Sequence, residues 1–131
     1  MTHTQEWINT WKMPYIAHNQ PTKFNYIVVY PENLVLGKYF DIGAFTYLQA
    51  EFGIEIQNLV EIGGGCHIYS HSTIDNKYGK VTLKRNCKIG AHSVIMPGVT
   101  VGENSIIGAM SFVNKDVPDD TTVRGVPAKE S

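Results

Sequence analysis

Every sixth residue from Leu83 onward is aliphatic: Leu83, Ile89, Ile95, Val101, Ile107 and Val113. The residue four places after each is small or of modest size, giving the series Cys87, Ser93, Val99, Ser105, Ser111 and Val117. Glycine follows three of the aliphatic positions, at Gly90, Gly102 and Gly108. A period of six excludes an amphipathic helix, whose apolar stripe recurs near 3.6 residues, and a hairpin meander, which alternates every two. It fits a parallel β-helix in which each hexapeptide makes one flat side and one corner of a triangular coil. The aliphatic residue points inward, the small residue fills the corner, and glycine tolerates the tight turn. Coils then stack at roughly the inter-strand spacing of 4.7–4.9 Å.

Upstream the period continues with interruptions. Leu36, Ile42, Leu48 and Ile54 form one series; Ile56, Ile62, Ile68 and Ile74 form another, with Cys66 and Ser72 as small partners. The step from 54 to 56 reads as a two-residue insertion. The nine-residue step from 74 to 83 reads as three extra residues protruding near Asn76 to Lys80. A repeat array needs its open ends covered. Residues 3–12 read as a short amphipathic helix, with Trp7, Ile8 and Trp11 on one face as end-cap packing and Pro14 stopping it. The expected organisation is an N-terminal cap over 1–33, a β-helix over 34–118 and a C-terminal loop and tail over 119–131.

The remaining composition mostly excludes. The 131 residues make one domain. Lys plus Arg number 11 against 12 Asp plus Glu, so no basic surface for nucleic acid is expected. No run of about 18 apolar residues exists, so no membrane insertion is expected. The N-terminus lacks the basic start and apolar core of a secretory signal. Cys66 and Cys87 are too few for a disulfide framework and lack CxxC spacing for zinc. The expected compartment is the reducing cytoplasm.

The stretch from Lys88 to Lys129 resembles the C-terminal half of hexapeptide-repeat acyltransferases. The resemblance rests on Pro97-Gly98-Val99-Thr100, Val101-Gly102-Glu103-Asn104, Gly108-Ala109, Asn114-Lys115-Asp116-Val117-Pro118 and, most specifically, Gly125-Val126-Pro127-Ala128. It is similar to the galactoside, maltose, chloramphenicol and streptogramin acetyltransferases, and to sugar acetyltransferases of surface-polysaccharide pathways. The resemblance implies an all-β fold, a left-handed parallel β-helix with a short N-terminal helix. It also implies a homotrimer with an active site in each cleft between two subunits, acetyl-CoA as co-substrate along the helix axis, and a sugar or nucleotide-sugar acceptor. No metal is expected. By the same resemblance, the backbone at Ala109, the side chain of Ser111 and the segment Asn114-Lys115 line the CoA path. Arg124 meets a CoA phosphate, which suits a guanidinium, and Lys115 offers a point charge for the same purpose. Ser111 also belongs to the inward small column. Many relatives carry a tryptophan near CoA where this chain has Lys88, so that contact does not carry over.

Acyl transfer to a hydroxyl calls for a general base, and histidine is the usual device. Of the five histidines, His3 and His18 lie outside the repeats and read as surface residues, and His67 reads as solvent-facing. His71 is Ile68 plus three and His92 is Ile89 plus three, so both are expected on one outward corner. Glu51, at Leu48 plus three, and Met110, at Ile107 plus three, extend that column. Glu51 is then placed to orient His71. Relatives with hydroxyl acceptors place their histidine in a comparable segment before a loop, although their His-Pro pair is replaced here by Ser72, Thr73 and Ile74. Three assignments stay open: His71 as base, His92 as base, or no histidine base, the last suiting an amine acceptor. Asp75 and Asn76 open the loop as acceptor ligands or as turn-formers. Burial in the small column leaves Cys66 and Cys87 without a catalytic role. Two rivals remain: a trimeric zinc enzyme resembling the γ-class carbonic anhydrases, built on His67, His71 and His92, and a non-catalytic β-helix scaffold.

Overall fold

The aliphatic columns do what their spacing requires. In the computed structural model, which describes residues 3–131, the chain passes through three flat faces in turn, each a parallel sheet built from successive coils. Face one comprises Ile27–Val29, Tyr47–Gln49, His67–Tyr69, Val94–Ile95 and Phe112–Val113. Face two comprises Leu34–Leu36, Ile54–Ile56, Val81–Leu83 and Thr100–Val101. Face three comprises Asp41–Ile42, Glu61–Ile62, Lys88–Ile89, Ile106–Ile107 and Thr122–Gly125. This is the expected parallel β-helix of hexapeptide repeats, all-β apart from one short helix and a single 3-10 turn at Pro31–Asn33.

Inside, Val28, Leu48, Ile68, Ile95 and Val113 stack in register along face one. Ile42, Ile62, Ile89, Ile107 and Val123 do so along face three. All ten are buried. Each such side chain contributes about 1.5–3 kcal/mol by leaving water, and a column of five is the unit that holds the coils together.

The corner residues are chosen for chemistry as well as size. Thr46 Oγ1 donates to the Gly63 carbonyl at 3.0 Å, Cys66 Sγ to Gly90 at 3.2 Å, and Ser93 Oγ to Gly108 at 3.1 Å. Each donor lies one coil before its acceptor, so the small column ties successive turns together. One left-handed residue turns this same corner in every coil: Asn25, Phe45, Gly65, His92 and Met110, with φ between 60° and 69°.

The register departs from the expected one in three places. Along face one, Tyr47 pairs with His67, His67 with Val94, and Val94 with Phe112. The coil from His67 to Val94 is thus longer than the coil from Val94 to Phe112 by nine positions, so the insertion after Ile68 is three times the expected one. It forms an antiparallel hairpin, His71–Ser72 against Lys77–Tyr78. Ile74, expected to point inward, sits in its turn and is 99% exposed. Ile54 and Ile56 both point inward from a single strand, opposite Val81 and Leu83. Val117 is no corner residue: it pairs with Val101 and continues an inward column, because the last coil is two positions short.

Both ends differ from expectation as well. The helix is shorter, Gln5–Thr10, because Thr4 caps it by accepting from the Trp7 amide. Trp11 follows in extended conformation; its indole N–H donates to the Phe40 carbonyl at 2.9 Å, and its ring meets Tyr39 and Phe40 edge-on. His3 is not a surface residue: it is buried and stacked on Trp7 at 3.9 Å. The parallel ladders begin at Ile27, ahead of residue 34. They also run past Pro118, since Thr122–Gly125 joins face three and Ala128–Glu130 folds back on it antiparallel. That reversed strand covers the last edge, which the loss of hexapeptide spacing concealed in the sequence.

Candidate active site

Alternation along two neighbouring strands brings the chemistry to one place. Ile68 and Ser70 point inward and are fully buried, as are Leu48 and Ala50 one coil earlier. The residues between them therefore project outward from face one. Three facing pairs result: Tyr47 with His67 and Gln49 with Tyr69 in the ladder, then Glu51 with His71 at the corner where face one ends.

The last pair is a hydrogen-bonded dyad. His71 Nδ1 lies 3.0 Å from Glu51 Oε1. An ionised carboxylate only accepts, so Nδ1 donates to Glu51, and in the neutral imidazole this leaves Nε2 as the accepting nitrogen. The His71 side chain is 19% exposed, which leaves it reachable. Glu51 is itself held: the Gln49 side-chain amide donates to the same carboxylate oxygen, and Gln49 Oε1 accepts from the Glu51 amide, each at 3.1 Å. Ser70 Oγ donates to the Gln49 carbonyl at 2.7 Å and accepts from the Phe52 amide at 2.9 Å. The hydrogen bonds from His71 and then Gln49 hold the Glu51 carboxyl below the usual carboxylate range. Phe52 and Tyr78 stand edge-on to the imidazole, with centroids at 5.2 and 6.5 Å.

His92 and Met110 do not join this corner. The column expected to contain all four residues splits in two, because the longer insertion sets the later hexapeptides one face back: Ile89 pairs with Ile62, and Ile95 takes the place beside Ile68. His92 is exposed at the corner where face three meets face one, and its ring packs over Gly65. A Cβ on Gly65 would come within 2.5 Å of His92 Nδ1, so a side chain there would require the His92 ring to shift.

The residues assigned to CoA divide between the two edges of face one. Ala109 is exposed next to Met110 at the entry corner. Arg124 is exposed beside it: a Cβ on Gly108 would meet Arg124 Cβ at 2.9 Å. Ser111 is buried, and its hydroxyl is already used, donating to the Gly108 carbonyl at 2.6 Å and accepting from the Gly125 amide at 3.1 Å. Its role is therefore to join two turns beneath the Arg124 strand. Asn114 and Lys115 are exposed where face one ends, at the C-terminal end of the edge that carries the dyad.

Asp75 and Asn76 occupy the hairpin turn. Asn76 is left-handed with φ of 51°, and Asp75 accepts from Ser72 and faces Lys77 at 3.8 Å. Burial pushes the Cys87 thiol up to about 12 and raises the Cys66 thiol as well. His67, His71 and His92 lie on a face and on two different corners. Among the described residues no group of three His, Cys, Asp or Glu side chains is gathered to hold a metal ion, and no helix is long and apolar enough to cross a membrane.

Several members of the site escaped the reading by sixes. Gln49, Ser70, Phe52 and Tyr78 surround the dyad, and Tyr47, His67 and Tyr69 ring an outward groove beside it. Their signal was a period of two, in Tyr47-x-Gln49-x-Glu51 and His67-x-Tyr69-x-His71, laid over the period of six.

Residues 80–115 match the family described as bacterial transferase hexapeptide (six repeats). The chain is 51% identical over 49 residues to the galactoside O-acetyltransferase of Escherichia coli, a stretch covering 37% of this chain and 24% of that enzyme. The fold is similar to AntD, an N-acyltransferase from Bacillus cereus solved with dTDP-4-amino-4,6-dideoxyglucose and coenzyme A. There the TM-score is 0.70 and the identity 30%, over 81% of this chain and 64% of that one. It is also similar to a hexapeptide-repeat acetyltransferase from Vibrio cholerae solved with acetyl coenzyme A, with a TM-score of 0.75 and 28% identity over 80% of this chain and 62% of that one. The chain thus spans about a quarter of the curated enzyme and just under two thirds of the two solved structures.

Proposed function

From the match of residues 80–115 to the bacterial transferase hexapeptide family, we propose that the chain transfers an acetyl group from acetyl-CoA to a hydroxyl or amino group of a sugar or nucleotide-sugar. The observation that carries this reading is the Glu51–His71 hydrogen bond at 3.0 Å, made through Nδ1. It fixes the imidazole in the tautomer whose Nε2 accepts a proton. His71 Nε2 takes the acceptor's proton as its oxygen or nitrogen bonds to the acyl carbon. Glu51 stabilises the imidazolium so formed, and Gln49 and Ser70 hold Glu51 in place. Acetyl-CoA would supply the acyl group: its carbon–sulfur bond breaks as the new bond forms, and the departing thiolate takes back the proton held on His71, releasing CoA. Arg124 and Lys115 meet its phosphates, while the small residue at Ala109 lets the pantetheine approach the coil edge. His92, at the opposite edge of face one, stands next to that CoA path rather than beside Glu51.

In this reading the protein works as a homotrimer in the cytoplasm, where acetyl-CoA is available and the thiols of Cys66 and Cys87 stay reduced. Light scattering should then give three times the 14.6 kDa chain mass. The direct test is calorimetric titration of the purified protein with CoA and acetyl-CoA, followed by measurement of thiol release over a panel of sugars, amino sugars and nucleotide-sugars. Saturable binding weakened in Arg124→Ala and Lys115→Ala, with acceptor-dependent thiol release, is the expected result. No binding of either nucleotide by the intact assembly overturns it.

A further inference from the structure

The dyad ends a longer strip. The outward pairs of face one run from Tyr47 and His67, through Gln49 and Tyr69, to Glu51 and His71. The first part is aromatic: Tyr47 lies 6.0 Å from His67 and 6.1 Å from Tyr69, and His67 and Tyr69 lie 6.0 Å apart with planes 27° from parallel. These rings line an open groove of about 740 Å³, bounded at its far end by Pro21, Asn25 and Phe45. Face two offers no counterpart on its outward side, which carries Val35, Glu55, Thr82 and Thr100; face three presents Asp41, Glu61, Lys88, Ile106 and Thr122. The aromatic rings are confined to the face that leads to the dyad.

Length selects the ligand. Strands advance about 3.3 Å per residue, so Tyr69 precedes His71 by roughly 7 Å and His67 precedes it by roughly 13 Å. The first span holds one ring, and the second holds two. The two subsites also differ chemically. Beside the dyad, the Tyr69 phenol and the remaining N–H of the Gln49 amide offer hydrogen bonds to a polyhydroxylated ring. Further along, Tyr47 and His67 offer ring faces with polar tips, suited to stacking.

We propose that the acceptor is at least two rings long. Its reacting sugar lies over Gln49 and Tyr69 with the nucleophile at His71 Nε2, and its second ring stacks on Tyr47 and His67. The second ring is a further sugar or a nucleobase, since both present a flat face to an aromatic platform. This rests on the transferase reading above and extends it to the size of the acceptor.

The test titrates the full chain, in its native assembly with CoA present, with galactose, lactose and dTDP-glucose. At least one of the longer probes, lactose with a second sugar ring or dTDP-glucose with a nucleobase carried through deoxyribose and a diphosphate, should bind about tenfold tighter than galactose, the scale of one stacked ring. Whether lactose or dTDP-glucose gains more identifies the second ring. Tyr47→Ala and His67→Ala should abolish the gain, whereas Tyr47→Phe, which keeps the ring, should retain it. CoA affinity, measured on the same samples, should be unchanged in all three variants. If CoA binds normally but galactose and the longer probes bind alike or not at all, or Tyr47→Ala leaves the preference intact, the proposal is overturned while the transferase reading stands. If CoA itself fails to bind, the transferase reading falls first.

Discussion

The two halves of the β-helix obey different rules. From Val81 to Val113 successive coils keep one length, three hexapeptides, as in the pairing of Val94 with Phe112. From Ile27 to Val81 the coils are longer and unequal, and the extra residues include the whole hairpin from His71 to Tyr78. The regular half contains Ala109 and Ser111 and runs directly into Asn114 and Lys115, while the irregular half contains Glu51, His71 and the aromatic strip. Regular coils present repeated backbone edges, which suit a long co-substrate lying along the axis. Departures from the repeat create the sites where a particular acceptor can be recognised. The division also tracks stability, because inward columns run through both halves but the hairpin stands outside them.

That contrast can be broken at its strongest point first. Ile95→Ala truncates the middle of a face-one column and should destabilise by about 2–5 kcal/mol, read as a lower urea midpoint; a change under about 1 kcal/mol would show that the column is not the unit of stability. Ser93→Ala leaves the Gly108 carbonyl without its donor from the preceding coil and should cost about 1–2 kcal/mol. Ile74→Asp, in the fully exposed hairpin turn, should lie within about 0.5 kcal/mol of the parent. A large loss there would mean that the hairpin packs against another copy.

A pH measurement sharpens the irregular half. The folded Glu51 carboxyl titrates below its unfolded value, because His71 and Gln49 donate to it. Its pairing therefore stabilises the fold at pH above the ordinary carboxylate range, and the contribution is lost as pH falls through the lowered folded value. Carbon-13 NMR of Glu51 should show a depressed midpoint that moves up in His71→Ala. An unmoved midpoint would mean that the hydrogen bond is not formed in solution.

The period of six made the three faces, both aliphatic columns and the Glu51–His71 pairing legible, once the two-residue step between Ile54 and Ile56 is counted in. Ile74 broke the count. As an isoleucine six places after Ile68 it fits the inward series, and only the hairpin pairing of His71 with Tyr78 shows that it leaves the coil. The same error put His92 and Met110 on the wrong corner. The C-terminal strand was hidden for a related reason: the last coil is two positions short, so Val117 and Val123 fall out of register with Val113. The aromatic strip was missed because its signal lies in the outward positions, which a search for core spacing passes over.

The central claim is that Glu51 and His71 form the proton-accepting device of a CoA-dependent transferase. It is tested most directly by measuring CoA affinity and acetyl transfer together in His71→Ala. The account predicts unchanged CoA affinity and a turnover rate lower by about 100- to 10,000-fold, with His92→Ala far less affected. Transfer by His71→Ala within about twofold of the parent rate, at equal CoA affinity, would contradict it.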